Sequence, residues 1–174
     1  RQKGREYSSC IYSSRYFISD VPKGRNVIKM EEYRYYQGKQ LRYGFTTGSA
    51  AAAATQAAMA AFFREKVLEE AVIDLPAGGT LTILINTVRI RDGYTIASVI
   101  KDGGDDPDIT HGLEIFSKIS LRNDSKINIY GGIGVGTVTK PGLPMEVGMS
   151  SINPVPMKMI EKEVRKILPA DKGV

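Results

Sequence analysis

The chain of 174 residues predicts an α+β fold, an antiparallel sheet packed against helices as a two-layer sandwich. Three observations predict it. A long alanine-rich stretch has strong helix propensity, two β-hairpin signals follow it in series, and an amphipathic stretch closes the chain.

The elements follow in order. Residues 1–40 hold nine Lys/Arg against four Asp/Glu, six of the nine tyrosines and the only cysteine, Cys10. Residues 41–174 hold fifteen charges of each sign, so the net charge of +5 resides in the first forty residues. A basic, aromatic arm can bind nucleic acid by phosphate contacts and stacking, but this one shows no helix or strand period and reads as an unstructured leader. "MEEYRYYQGKQLRYGF", from Met30, has the look of a natural start. Residues 1–29 are therefore read as a disordered, dispensable leader of translated upstream sequence, and residues 30–174 as one α+β domain. Neither the charge nor Cys10 then supports a functional argument, and no nucleic-acid partner is expected.

"FTTGSAAAAATQAAMAAFFREKVLEEA" reads as a turn followed by a helix, with Thr47 or Ser49 as its cap and its charges at the far end. "LTILINTVRI" and "YTIASVI" are β-branched runs around Arg91-Asp92-Gly93, a hairpin signal. "LEIFSKISL" and "KINIY" repeat it around Asn123-Asp124-Ser125. In "SINPVPMKMIEKEVRKIL", Asn153 suits a cap, Pro154 a first turn, and Ile160, Val164, Ile167 and Leu168 share one helical face. A lone cysteine excludes an internal disulfide framework. With no span of about twenty apolar residues and no secretory leader, a soluble, cytoplasmic protein without a membrane partner is expected.

Three segments carry chemistry. In "TTGSAAAAA", Thr46, Thr47, Gly48 and Ser49 gather hydroxyls and N–H groups at the positive end of a helix, which attracts carboxylates or phosphates; plain capping is the reading these residues alone favour. In "KDGGDDPDITHG", Asp102, Asp105, Asp106 and Asp108 fall within seven residues, and His111, the only histidine, follows. They can ligate a divalent ion or act as a base, although the spacing matches neither an EF-hand nor a zinc signature. A solvated loop with Asx-turns is the bland alternative. Crowded like charges need a cation to answer them, which tilts the reading towards function. "GGIGVGTVTKPGLP", residues 131–144, follows the strand "INIY" as a dinucleotide loop would. Its continuation holds two prolines and β-branched residues that block a helix, and Lys140 lacks the preceding glycine of a Walker loop. It suits a flat ligand that approaches the backbone, not a helix-based phosphate cradle.

Taken jointly, "LRYGFTTGSAAAAA", "GGDDPDITHG", "GGIGVGTVTKPGLP" and "INPVPMKMI" stand in the order of the cobalt-precorrin-5B C(1)-methyltransferase family, CbiD, of anaerobic cobalamin biosynthesis. The chain resembles the N-terminal half of a member over roughly residues 31–174, with the family's second α/β domain largely absent. The resemblance implies methylation of ring carbon 1 of cobalt-precorrin-5B by S-adenosyl-L-methionine, giving cobalt-precorrin-6A. It implies Gly131, Gly132, Gly134 and Gly136 as cofactor-binding residues. Thr46, Thr47, Gly48, Ser49 and Lys140 fall to the acetate and propionate arms of the tetrapyrrole, and Asp105, Asp106 and His111 to catalysis; no metal ligand is implied. The fragment alone is expected to be inactive.

Three positions depart from the family pattern. Ala50 stands where a cysteine is usual, which reads as a packing position because methyl transfer needs no enzyme nucleophile. Ile133 replaces an acidic residue, and Met157 replaces an arginine, which removes one carboxylate contact. Two other readings stay open: a phosphate-handling enzyme on a similar sandwich, with the glycine loop over nucleotide phosphates and the aspartates on magnesium, which Lys140 and the acidic loop allow, and a non-enzymatic binding module in which the glycine loop is a structural turn and the basic leader makes the contacts.

Overall fold

A computed structural model describes residues 9–14, 33–36 and 38–174 of the chain. In order, β1 spans Ser9–Ser14, β2 Tyr33–Tyr36, β3 Lys39–Arg42, α1 Thr47–Arg64, β4 Glu70–Asp74, β5 Thr80–Leu84, β6 Thr87–Arg91, β7 Tyr94–Ile100, β8 Glu114–Ser120, β9 Ile129–Gly131 and α2 Pro154–Arg165. The main sheet runs β6-β7-β8-β1-β9, and β2-β3 and β4-β5 form separate two-stranded hairpins. All pairs are antiparallel except β1 with β9. The α+β expectation holds.

Helix α1 occupies the centre. It packs on β7 and β8 along one side, and on α2 and β4 along others. Ala50 to Ala54, Ala57, Ala58, Met59, Ala60 and Ala61 are all at most 4% exposed, so the helix is covered on nearly every side. A methyl group is the largest side chain that lets neighbours approach from several directions at once, which is why the run is alanine. Its buried polar groups are satisfied: the Thr55 hydroxyl donates to the Ala51 carbonyl at 2.8 Å with Ser117 Oγ 3.0 Å away, and the Ser49 hydroxyl lies 3.0 Å from Thr46 Oγ1. The second helix lies chiefly on α1, not beside it on the sheet. Its Met159, Ile160 and Val164 reach the core, and its Glu163, 2% exposed, is met by Gln56 Nε2 and Lys166 Nζ, both at 2.7 Å.

The structure corrects the sequence reading in five places. The cap of α1 is Thr46: its hydroxyl accepts the Ser49 N–H at 3.1 Å, and Ser49 is a third-position partner. Helix α1 stops at Arg64 because Glu65 adopts φ 50°, and β4 begins where the helix was expected to continue. "LTILINTVRI" is two strands that part at Ile85–Asn86, β5 pairing with β4 and β6 with β7. Residues 113–121 and 126–130 do not form a hairpin, because β1 lies between β8 and β9. The leader expected to lack regular structure thus supplies β1, while residues 1–8 and 15–32 lie outside the described residues; β2 and β3 likewise give the 1–40 segment strands where no period was seen. The β6-β7 hairpin stands as expected, with Arg91 opposite Tyr94 and Gly93 at φ 77° in the turn.

Candidate functional site

The acidic loop is built by backbone contact before any side chain acts. Tyr43 and Gly104 form an isolated antiparallel bridge, the Phe45 N–H donates to the Asp102 carbonyl at 2.9 Å, and the Asp105 N–H to that of Arg42 at 3.1 Å. A Cβ on Gly44 would stand 2.1 Å from the Gly103 carbonyl carbon, and Gly104 sits at φ 65° against Arg42 and Gly44. Only glycine fits this crossing of two chains. "RYGF" and "DGGDD" are therefore two halves of one clasp.

The carboxylates of this loop are answered individually. Asp102 receives Arg42 Nη1 at 2.5 Å and Nη2 at 2.9 Å, a bidentate pair that, with the Gly104 N–H at 2.8 Å, holds its carboxyl below the ordinary value. Asp108 accepts Lys101 Nζ at 2.5 Å on one oxygen and both the N–H and hydroxyl of Thr110 on the other. The Lys101 ammonium, first, and the Thr110 donors hold the Asp108 carboxyl well below the usual range. Lys101 itself is 1% exposed, the largest fully buried side chain described. Asp105 accepts the Arg42 backbone N–H at 2.7 Å, and Asp105 and Asp106 are both exposed. His111, with 57% of its side chain exposed, accepts the Gly103 N–H on Nδ1 at 3.0 Å, with Asp102 Oδ1 at 3.6 Å. Among the described residues, no group of three or more His, Cys, Asp and Glu side chains is placed to hold a metal ion.

The glycine loop folds on its own continuation. The Val135 N–H donates to the Gly132 carbonyl at 3.0 Å across a turn in which Gly134 has φ 88°. The Gly131 N–H donates to Ser150 Oγ at 2.7 Å, and the Ser151 N–H to the Gly136 carbonyl at 2.7 Å. A Cβ on Gly131 would meet Val135 and Ser150 within 2.9 Å, so that glycine is required by the chain's own packing. At Gly136 the nearest atom would be 3.8 Å away, and this position is open to a ligand. No helix follows the loop until Pro154, which agrees with the extended continuation expected. Lys140 lies at the exposed tip, residues 139–147, without a hydrogen bond or ion pair among the described residues.

The first turn of α1 joins the three segments. Thr47 Oγ1 lies 3.3 Å from Thr110 Oγ1 of the acidic loop. Gly48 abuts Pro156 of α2, where a Cβ would come within 2.9 Å of the ring, and α2 follows directly from the residues that hold the glycine loop. Phe45, Leu113, Val135 and Ile152, one from each segment and its flank, pack on the same buried cluster. The acidic and glycine loops are linked through the first turns of the two helices. Their rim is apolar as well as acidic, because Ile109 is 91%, Ile133 69% and Val155 52% exposed. Ala50, at 0%, stands inside the core directly beneath this turn, as a packing position would. A surface groove of about 490 Å³, lined by Ser125, Lys126, Asn128, Arg165 and Lys172 among others, lies at the other end of α2 and contains none of these residues.

Arg42 and Lys101 were absent from the candidates read from the sequence. The demand for a cation near crowded carboxylates was the available signal. Lys101 precedes the acidic run directly, whereas Arg42 is sixty positions away and only the fold brings it there.

Known proteins resemble this chain in sequence and in fold. The family model for CbiD matches residues 34–174. Over 145 residues the chain is 51% identical to the cobalt-precorrin-5B C(1)-methyltransferase of Thermoanaerobacter sp. (strain X514), covering 83% of this chain and 40% of that protein. It is 47% identical to the protein of the same name from Alkaliphilus metalliredigens (strain QYMF), covering 83% and 38%. The crystal structure of the cobalamin biosynthesis protein (cbiD) from Archaeoglobus fulgidus superposes with a TM-score of 0.54 at 26% identity, over 81% of this chain and 45% of that one. The chain thus spans about 40% of the length of these relatives, and the clasp, the glycine turn and the α1 cap all fall inside the matched residues. The chain belongs to the CbiD family.

Proposed function

We propose that this chain is the N-terminal part of a cobalt-precorrin-5B C(1)-methyltransferase, which uses S-adenosyl-L-methionine to methylate ring carbon 1 and yields cobalt-precorrin-6A in cobalamin biosynthesis. The observation that supports it most is the meeting of the three segments at the first turn of α1. The relatives at 42–51% identity carry that enzyme's name.

The residues present fit such a cofactor in charge. A sulfonium compound has no phosphates, and the glycine turn offers no phosphate-binding helix; exposed carboxylates, Asp105 and Asp106, stand on the rim instead. Bound S-adenosyl-L-methionine supplies an electrophilic methyl group. The task left to the protein is to hold ring carbon and methyl in line at about 3–3.5 Å. The exposed Ile109, Ile133 and Val155 give the flat macrocycle an apolar surface, and Thr46, Thr47 and the first turn of α1 face its carboxylate arms. Asp105 and Asp106 offset the cationic charge and receive a proton at carboxylate oxygen. Gly132, Gly134 and Gly136 form the turn against which the cofactor lies, and Lys140, on the exposed tip, pairs with an outer carboxylate of the substrate.

No helix among the described residues is long and apolar enough to cross a membrane, in keeping with a protein that acts on a water-soluble substrate in the cytoplasm. Calorimetry with S-adenosylhomocysteine and with Mg-ATP tests the reading, using the full-length protein and the 174-residue chain in parallel. Binding of the first by the full-length protein, and its conversion of cobalt-precorrin-5B, is expected. Binding of Mg-ATP alone would overturn it in favour of a phosphate-handling enzyme.

A further inference from the structure

His111 is fixed by one side of its ring. The turn that carries it is pinned from below: Lys101 holds Asp108, Asp108 holds Thr110, and the His111 N–H donates to the Asp108 carbonyl at 3.0 Å. The ring rests on Gly103, where a Cβ would come within 3.3 Å of His111 Cβ and 3.6 Å of Nδ1. The Gly103 N–H then points at Nδ1 from 3.0 Å.

A backbone N–H can only donate, so Nδ1 must carry the lone pair. In a neutral imidazole the proton is then on Nε2, the nitrogen away from the loop. A histidine in this tautomer cannot accept a proton at its outer nitrogen. It can only donate there. We propose that His111 binds an oxygen of the ligand through Nε2–H, and is not the base. The matching ligand group is a hydrogen-bond acceptor, and a carboxylate is the strongest such acceptor; the Thr110 hydroxyl beside it is already given to Asp108, so Nε2–H is the side-chain donor this turn has left to give. This rests on the proposed function for the source of the carboxylate, an acetate or propionate arm of the tetrapyrrole.

The chain has a single histidine, so long-range ¹⁵N–¹H correlation spectra of ¹⁵N-histidine-labelled protein report on this ring alone. Two pH units above the ordinary histidine pKa of about 6.5, the unprotonated nitrogen is expected at Nδ1 and the proton at Nε2. An Nδ1–H ring would overturn the proposal, without any bearing on whether the full-length protein methylates. Uroporphyrin III, a tetrapyrrole with acetate and propionate arms, is the binding probe, with fluorescence quenching as the readout. His111→Ala should weaken its binding about tenfold or more, the effect of losing one hydrogen bond to a charged group. His111→Gln keeps an N–H donor and should return affinity to within about threefold. Unchanged affinity in His111→Ala, or no binding by the unaltered chain, would refute the donor role. Histidine-dependent binding without S-adenosylhomocysteine binding by the full-length protein would instead leave the donor standing and sink the methyltransferase reading.

Discussion

Arg42 grips Asp102 with both arms of its guanidinium across sixty positions of sequence, and Asp105 grips Arg42 in return through its backbone N–H. One arginine thereby fastens the acidic loop to the end of β3. Asp102 is 16% and Arg42 31% exposed at the side chain, so the pair is shielded enough to matter. Arg42→Ala should cost about 1.5–3 kcal/mol in urea unfolding, the range for hydrogen bonds to charged groups. Arg42→Lys should recover less than half of that, because an ammonium cannot fork over both oxygens. Stability of Arg42→Lys equal to that of the unaltered chain would show that the charge alone holds the loop.

Acid should unfasten the protein in a defined window. Asp102 and Asp108 titrate below their ordinary value because Arg42 and Lys101 respectively bind the charged form, and Arg122 brings Asp124 down to about 2. A carboxyl whose folded value is depressed adds stability that is complete above its unfolded value, 3.8, and is lost as pH falls towards the folded one. Unfolding free energy is therefore expected to be level from about pH 7 to 5 and to decline below about pH 4. Asp108→Asn should flatten that decline while lowering the plateau. A decline of unchanged slope in this variant would contradict the assignment.

Two glycine substitutions separate clasp from ligand surface. Gly44→Ala forces a Cβ to within 2.1 Å of backbone and should destabilise the domain by several degrees of Tm. Gly136→Ala meets nothing closer than 3.8 Å and should leave Tm within about a degree, by the small cost of exposed changes. If the glycine turn lies against the cofactor, Gly136→Ala nonetheless weakens S-adenosylhomocysteine binding in the full-length protein. Unaltered binding there would remove Gly136 from the cofactor surface.

Asp106→Asn in the full-length protein should lower single-turnover methylation about a hundredfold or more, the usual effect of losing a general base. Its stability should move by under about half a kcal/mol, since Asp106 is exposed. Asparagine can make the same Asx-turn, so a purely structural aspartate predicts a near-normal rate. Asp105→Asn is the companion variant, because its oxygen can still accept the Arg42 N–H. Near-normal rates in both would return the loop to a structural role.

What the sequence disclosed was mostly local. The Arg91–Tyr94 turn, the Thr46–Ser49 helix start and the Pro154 helix start depend on residues within four positions of one another, and their chemistry is readable there. Glu65 in a left-handed conformation has no such signature, and the helix-forming residues around it concealed both the end of α1 and the start of β4. The placement of β1 between β8 and β9 is set by pairing across more than a hundred residues, which no local pattern records. In the site, the glycines of the acidic loop were visible but their reason was not. Gly104 is small because another stretch of backbone crosses it, and Gly103 because the Asp108 and His111 side chains rest on it.

The methyl-lined helix at the centre has a consequence for how this protein can vary. At eleven positions from Ala50 to Ala61 the side chain, alanine in all but Thr55 and Met59, is at most 4% exposed. From each alanine, glycine loosens the helix by about 1 kcal/mol, and anything larger strains two or three surrounding elements by about 1–3 kcal/mol. A scan of every single replacement would therefore mark the stretch from Ala50 to Ala61 as among the least forgiving parts of the chain, although its side chains are walled in by the protein itself. Intolerance would trace the shortage of room at the centre, while the residues that meet the ligand, standing in water at the rim, would look permissive in any assay that reads folding alone.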